Sequence, residues 1–322
     1  MRLALVVTLI CAPAIGHGAL AQCAPATQRL IGDGKFDEAR AETEPLVKKN
    51  GSDEAALHCM GRIAEARGKS GEAVDWFEKA AKANDKNAQH HLWLGNSLGT
   101  EAQKANKLRQ PFLARRVKAE FERAVALDPT LVEAREGLVQ FYAIAPGVMG
   151  GDVNKAKEQI AEITKLNPMR GHFRAAWLAQ REKDVAAEER AYVAATTAAP
   201  DSVVAFSSLG NFYKRQKKWA ASMTAFEQIL KIKPDAIGAH LNIGGVSAAS
   251  GDNLDRGERE IKQWMSLAPK DAPSGNYFAA HYWLGLIYVA QGKKDVARTE
   301  YEAALAINPK NEDVKKALAA LK

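Results

Sequence analysis

Residues Val203–Asp235 read VVAFSSLGNFYKRQKKWAASMTAFEQILKIKPD. In the first half Phe206, Leu209, Gly210 and Tyr213 follow a 3-1-3 spacing, which sets all four on one face of a helix. The polar run Lys214–Lys218 interrupts the pattern. Trp219 and Ala220 then open a second segment in which Ser222, Phe226 and Ile229 again share a face. Pro234 closes it, because proline has no N–H to continue a helix. Glycine inside a helix costs about 1 kcal/mol relative to alanine. A glycine at position 210 therefore implies a steric reason: the two helices approach closely there.

The same arrangement recurs on both sides. Gly61 and Gly95 lie 34 residues apart, as do Gly210 and Gly244, and prolines end segments at Pro129, Pro168, Pro200, Pro234, Pro269 and Pro309. A period near 34 with two helical segments per unit is a solenoid signature. Leu284-Gly285, Tyr288, Ala297, Tyr301, Ala304 and Pro309 repeat the pattern, as do Leu57, Met60-Gly61, Ala73, Phe77 and Ala80, with Asp85 in place of the proline. Leu94-Gly95, Phe121, Ala124 and Pro129 form a further copy. Degenerate copies are carried by Leu138, Tyr142, Ala156, Ile160 and Pro168; by Trp177, Tyr192, Ala195 and Pro200; and by Ile243-Gly244, Ile261, Trp264 and Pro269.

On these residues the chain resembles the tetratricopeptide repeat family. The resemblance implies an all-α, right-handed superhelical solenoid of antiparallel helix pairs. Seven units are expected over residues 54–311, after a partial unit over 22–53 in which Ala39 and Leu46 mark a second helix. Residues 312–322 read as a capping helix over the last apolar face. Three stretches depart from the period. About ten extra residues between Leu98 and Val117 mean a lengthened helix pair or a longer loop, and they carry Lys104, Lys107, Arg109, Arg115, Arg116 and Lys118, either a basic patch or a solvated helix face. Ala145–Gly151 reads as an ordered loop, and Ala272–Tyr277 as a spacer before the last full unit.

The N-terminus differs in kind. Arg2, the apolar run Leu3–Ile15 and the small residues of Ala19-Leu20-Ala21 have the layout of a cleaved secretory signal over residues 1–21. The expected location is periplasmic or secreted. Leu20-Ala21-Gln22-Cys23 also resembles a bacterial lipobox, although Gln22 is larger than the residue that normally precedes the acylated cysteine. Cys11 falls in the signal, so Cys23 and Cys59 remain. In an oxidising compartment they are candidates for one disulfide, the alternative being two buried thiols.

Lys and Arg total 45 against 38 Asp and Glu, a net charge of +7 spread over the chain. Such a charge favours anionic surfaces only mildly. No stacking motif accompanies it, so nucleic acid is not an expected partner; no stretch is long and apolar enough to span a bilayer, and peripheral membrane association is left open. The sequence lacks the H-E-x-x-H, G-x-S-x-G and phosphate-loop motifs, so no enzyme, cofactor or metal is expected. His91, His240 and His281 share one repeat position, four residues before a glycine, and read as core histidines with satisfied hydrogen bonds; His90 and His91, being adjacent, point apart. In the family the first helices line a concave face. Carried over, this marks Ser207, Asn211, Lys214, Arg215, Leu241, Gly245, Tyr282 and Leu286 as candidate contacts for a protein or peptide partner, with His58, Arg62, Leu92 and Asn96 at similar positions nearer the N-terminus. Small and apolar groups in the last two units suit an amphipathic helix or extended peptide. A family pattern of lysines, asparagines and arginines that holds chain-terminal carboxylates is matched only by Asn96 and Asn211.

Overall fold

The computed structural model describes residues 23–269 and 271–321. The signal and lipobox readings over residues 1–22 lie outside them. Among the described residues there are seventeen α-helices, one short 3-10 turn and no strand. They form two compact units. The first, up to Asn167, contains α1 (Pro25–Gly32), α2 (Phe36–Lys49), α3 (Glu54–Ala66), α4 (Ser70–Ala83), α5 (Ala88–Lys104), α6 (Gln110–Leu127), α7 (Val132–Ile144) and α8 (Val153–Leu166). The second, from Pro168, contains α9 (Pro168–Glu182), α10 (Val185–Ala198), α11 (Val203–Arg215), α12 (Trp219–Ile232), α13 (Ile237–Ser250), α14 (Leu254–Leu267), α15 (Ser274–Ala290), α16 (Lys294–Ile307) and α17 (Glu312–Ala319).

Within each unit consecutive helices pair antiparallel, and in most pairs the second helix packs against the first helix of the next pair. The glycine inference holds at atomic level. A Cβ on Gly61 would lie 2.6 Å from the Phe77 ring, one on Gly95 2.8 Å from Phe121, and one on Gly210 2.8 Å from Phe226. Each large second-helix side chain thus occupies the space that the first helix leaves by having no side chain, and Phe77 and Phe226 are fully buried. Side-chain caps begin several first helices and the terminal α17: Asp53, Asn87, Ser202 and Asn311 accept from backbone N–H groups that the helix cannot satisfy itself. Pro168 does more than end a segment. It is the first residue of α9, where its missing N–H costs nothing.

The turn inside most pairs places one residue in the left-handed region, two positions before the second helix. Gly34, Gly68 and Gly292 fill that place at no steric cost, whereas Lys183 and Lys217 hold φ of 59° and 56° as non-glycine residues.

The departures from the period resolve differently from one another. The extra residues after Leu98 lengthen both helices of the pair: α5 has 17 residues and α6 has 18, against 13 and 14 in α3 and α4. Ala145–Gly151 is an ordered loop built on a 3-10 turn at Gly147–Met149 and closed by the Asp152 N–H donating to the Tyr142 carbonyl at 2.9 Å. The spacer Ala272–Tyr277 is corrected, since from Ser274 onward it forms the first turn of a 17-residue α15.

Candidate functional site

Positions within a repeat are conveniently counted from its first-helix glycine. Apart from Lys214 and Arg215 at +4 and +5, the partner-contact candidates fall at −3 (His58, Leu92, Ser207, Leu241, Tyr282) and +1 (Arg62, Asn96, Asn211, Gly245, Leu286). The structure shows a further recurrent contact at −2, where side chains reach back to the preceding repeat, except Ser208, whose hydroxyl donates to the Val204 carbonyl of its own helix. Cys59 is disulfide-bonded to Cys23, with Cα atoms 5.1 Å apart. Trp93 stacks under the Arg62 guanidinium at 3.8 Å. Asn242 Oδ1 lies 3.4 Å from Lys214 Nζ. Trp283 lies over Gly245, where an added Cβ would be 2.8 Å from its ring.

This contact corrects part of the expected surface in the second unit. Leu241 and Gly245 are buried, the first in the core of the last repeats and the second beneath Trp283, so neither is open to a partner. Arg215 is held by the buried Glu188 carboxylate at 2.5 Å, and Lys214 is drawn over the Trp283 ring at 5.4 Å, its pKa lowered by burial. Tyr282 and Leu286 are half-buried, Tyr282 between Phe278 and Tyr301. Ser207 and Asn211 are half-buried, and their side chains make no hydrogen bond to another described residue.

In the first unit the contact is missing at one place, and a groove opens there. The glycine-equivalent of α7 is Val139, so position −2 is Gly137, which has no side chain to lay over Asn96. Gly99 on α5, with nothing within 4 Å of an added Cβ, widens the gap. The result is a cavity of about 410 Å³ between α5, α6, α7 and the Pro146–Met149 loop, walled by Val117, Phe121, Phe141 and Ile144, with the amides of Asn96, Gln103, Gln110 and Gln140 at its edges. Both insertions in the first unit thus border one groove. Leu108, Phe112 and Val148 are exposed on the same lengthened turns. Of the six cations in the first insertion, Lys104, Arg116 and Lys118 pair with Glu101, Glu78 and Glu122. Lys107, Arg109 and Arg115 make no ion pair with a described residue.

A second cavity, of about 380 Å³, lies at the N-terminal end of this unit and is lined by Cys23, Gln28, Ile31, His58, Arg62, Gln89 and Trp93. Behind it His58 Nδ1 meets His90 Nδ1 at 3.1 Å, and His90 Nε2 meets the Glu54 carboxylate at 3.0 Å. Burial holds the His58 pKa down to about 3, aided by the nearby His90 and Arg62, and it also lowers that of His90. His91 turns the other way. Its Nδ1 bonds Glu120 at 2.7 Å and its Nε2 meets the Asp85 carbonyl at 3.1 Å, so Glu120 raises its pKa.

The equivalent His240 and His281 bond Glu260 at 2.5 Å and Glu300 at 2.7 Å. Each partner carboxylate sits one residue before the large second-helix side chain, Phe121, Ile261 or Tyr301, a spacing that the sequence itself carries. The histidines tie first helix to second within a repeat, although His240 Nε2 is buried without a partner. No described helix is long and apolar enough to cross a membrane.

Tetratricopeptide repeat models match residues 28–88 and 278–311. No curated protein matches the chain. Among solved structures, yeast Tom70 superposes with a TM-score of 0.56 at 14% identity, over 90% of this chain and 58% of its own. A TPR repeat-containing protein from Cytophaga hutchinsonii gives 0.48 at 14% identity, over 91% and 98%. A tetratricopeptide repeat protein from Parabacteroides merdae gives 0.47 at 15%, over 87% and 98%. At such identities the likeness is one of fold. Over residues 28–88 and 278–311 the chain therefore carries tetratricopeptide repeats, within an all-α fold of stacked helix pairs.

Proposed function

We propose that this protein is a non-catalytic interaction scaffold of the bacterial envelope, exported to the periplasm, that holds a peptide or a segment of a partner protein in a groove of its first unit. Tetratricopeptide repeats generally mediate protein–protein interaction. The observation that carries the reading is the open groove beside Asn96, where Gly137 supplies no side chain of the kind with which Trp283 covers Gly245. Its apolar walls suit an amphipathic helix or an extended peptide. The uncompensated Lys107 and Arg109 on the adjoining turn, with Arg115 in the first turns of α6, favour one with acidic flanks. Rigid, stacked repeats hold the groove in shape before binding, which lowers the ordering cost of association.

Export is supported by the signal-like layout of residues 1–21 and by a Cys23–Cys59 disulfide, a bond that persists in oxidising compartments. The alternative, a lipid-anchored subunit of an envelope assembly complex, needs the Cys23 sulfur for acylation, and in the structure that sulfur is bonded to Cys59. Mass spectrometry of the mature protein separates the two: a start at Gln22 with an intact disulfide supports the soluble form, and a diacylglyceryl mass on Cys23 overturns it. Affinity purification after cross-linking in the native envelope should recover a protein partner whose capture drops when Ile144→Glu and Val117→Glu charge the groove. Undiminished capture removes the groove assignment.

A further inference from the structure

The N-terminal cavity has a polarity that peptide docking in the other groove does not use. His58 and Arg62 are four residues apart on α3, so they face the same way. Arg62 is half-buried on the Trp93 ring and makes no hydrogen bond or ion pair to another described residue, which leaves its donor fork to the cavity. The tautomers behind it follow by elimination. The Glu54 carboxylate only accepts, so His90 Nε2 carries a proton and the neutral ring leaves Nδ1 bare. That bare nitrogen accepts from His58 Nδ1–H, so the neutral His58 ring keeps Nε2 as an acceptor. His58 is 3% exposed, and no described residue donates to this nitrogen. Gln28 and Gln89 add amides whose side chains are likewise unpaired among the described residues.

The cavity therefore offers a planar cationic fork beside a neutral acceptor. A guanidinium binds a carboxylate through two parallel N–H···O bonds. A bare imidazole nitrogen next to it needs a donor, and it would oppose the second charge and extra oxygens of a phosphate. We propose that this pocket binds a small carboxylate bearing a neutral hydrogen-bond donor on its α-atom, as α-hydroxy acids and N-acyl amino acids do, with the carboxylate on Arg62 and the donor on His58 Nε2. A volume of about 380 Å³ falls within the range of small-molecule sites. The ligand is a small molecule, so this site stands independently of the scaffold reading.

The test is isothermal titration of the intact mature chain at pH 7.5 with glycolate, N-acetylglycine, acetate and inorganic phosphate, accompanied by ¹⁵N shifts of the histidine rings. Glycolate or N-acetylglycine should saturate in the millimolar range or below, at least ten-fold more tightly than acetate and phosphate, and should shift the His58 Nε2 resonance. Which of the two binds more tightly identifies the class. Arg62→Gln should weaken that ligand at least ten-fold. Should it perturb the fold by circular dichroism, Gln89→Ala supplies the second variant, with a smaller loss. The proposal is overturned if no probe saturates by 10 mM, if acetate matches the donor-bearing ligands, if phosphate binds most tightly, or if a folded Arg62→Gln binds as wild type does.

Discussion

Gly95 and Gly99 lie four residues apart on α5, and the same substitution should change stability in opposite directions at the two places. At Gly99 nothing lies within 4 Å of an added Cβ, so alanine contributes only its better helix propensity, about 1 kcal/mol. At Gly95 the added Cβ would meet the Phe121 ring at 2.8 Å. That ring also lies against Gly137, where a Cβ would be 2.6 Å away, and it is 5% exposed, so its movement is restricted. Overpacking a confined core position costs about 1–3 kcal/mol. The confinement argues for the upper end, so after the propensity gain Gly95→Ala should lose about 2 kcal/mol. The two variants should then differ by about 3 kcal/mol in urea melts followed by circular dichroism at 222 nm. Local unfolding of repeats can broaden such melts, so comparison at matched slope is required. If Gly95→Ala melts at or above wild type, close approach at the repeat glycine is not what selects that residue.

Leu209→Ala removes a buried side chain packed on Phe212, Ala225 and Tyr213 and should cost about 2–5 kcal/mol; an unchanged melt would contradict the register read from residues 203–235. Lys217→Gly relieves a left-handed residue and should stabilise by up to about 1 kcal/mol, whereas loss of stability would show that Lys217 has a compensating contact. His58 has its folded pKa depressed to about 3 from an unfolded value near 6.5, so between those limits the unfolded state binds the extra proton. The stability tied to neutral His58 is complete above about pH 6.5 and falls on acidification by at most about 1.4 kcal/mol per pH unit. His58→Gln should flatten that part of the profile between pH 6.5 and 4, and an unchanged slope would mean the ring is protonated in the folded protein. His91 runs the opposite way. Its pKa is raised by Glu120, so its contribution is complete below the unfolded value and disappears as pH rises through the folded one. His91→Gln should therefore narrow its stability gap to wild type as pH goes from 6 to 9 in the same melts.

The helix pairs were legible because their signals are local and periodic. Leu-Gly with a tyrosine three residues on, and a proline some twenty residues later, state the packing of one repeat against itself. What the sequence left obscure concerns contacts between repeats. Positions +1 and −3 lie on first helices, yet the exposure of position +1 depends on residue −2 of the next repeat, 31 to 41 residues further along the chain. Trp283 over Gly245 and Trp93 on Arg62 are the same contact with different outcomes: one fills a gap, the other holds a cation at a cavity. Gly137 opens a groove by having no side chain, a feature that looks in the sequence like one more helix glycine. Insertions were visible as irregular spacing, but whether ten residues extend helices or loop out is set by tertiary packing. After Leu98 they extend α5 and α6; before Tyr277 they add a turn to α15.

The scaffold reading stands or falls on what lies against Asn96. A photoreactive amino acid placed there in cells, with a second at the exposed Lys82 of α4 as the outer-face control, reports this directly. A single partner should cross-link from position 96 and not from 82, through a segment that is apolar with acidic flanks, and Ile144→Glu should abolish the adduct. Equal adducts from both positions, or none from position 96 while a partner still co-purifies, would contradict a groove-bound partner.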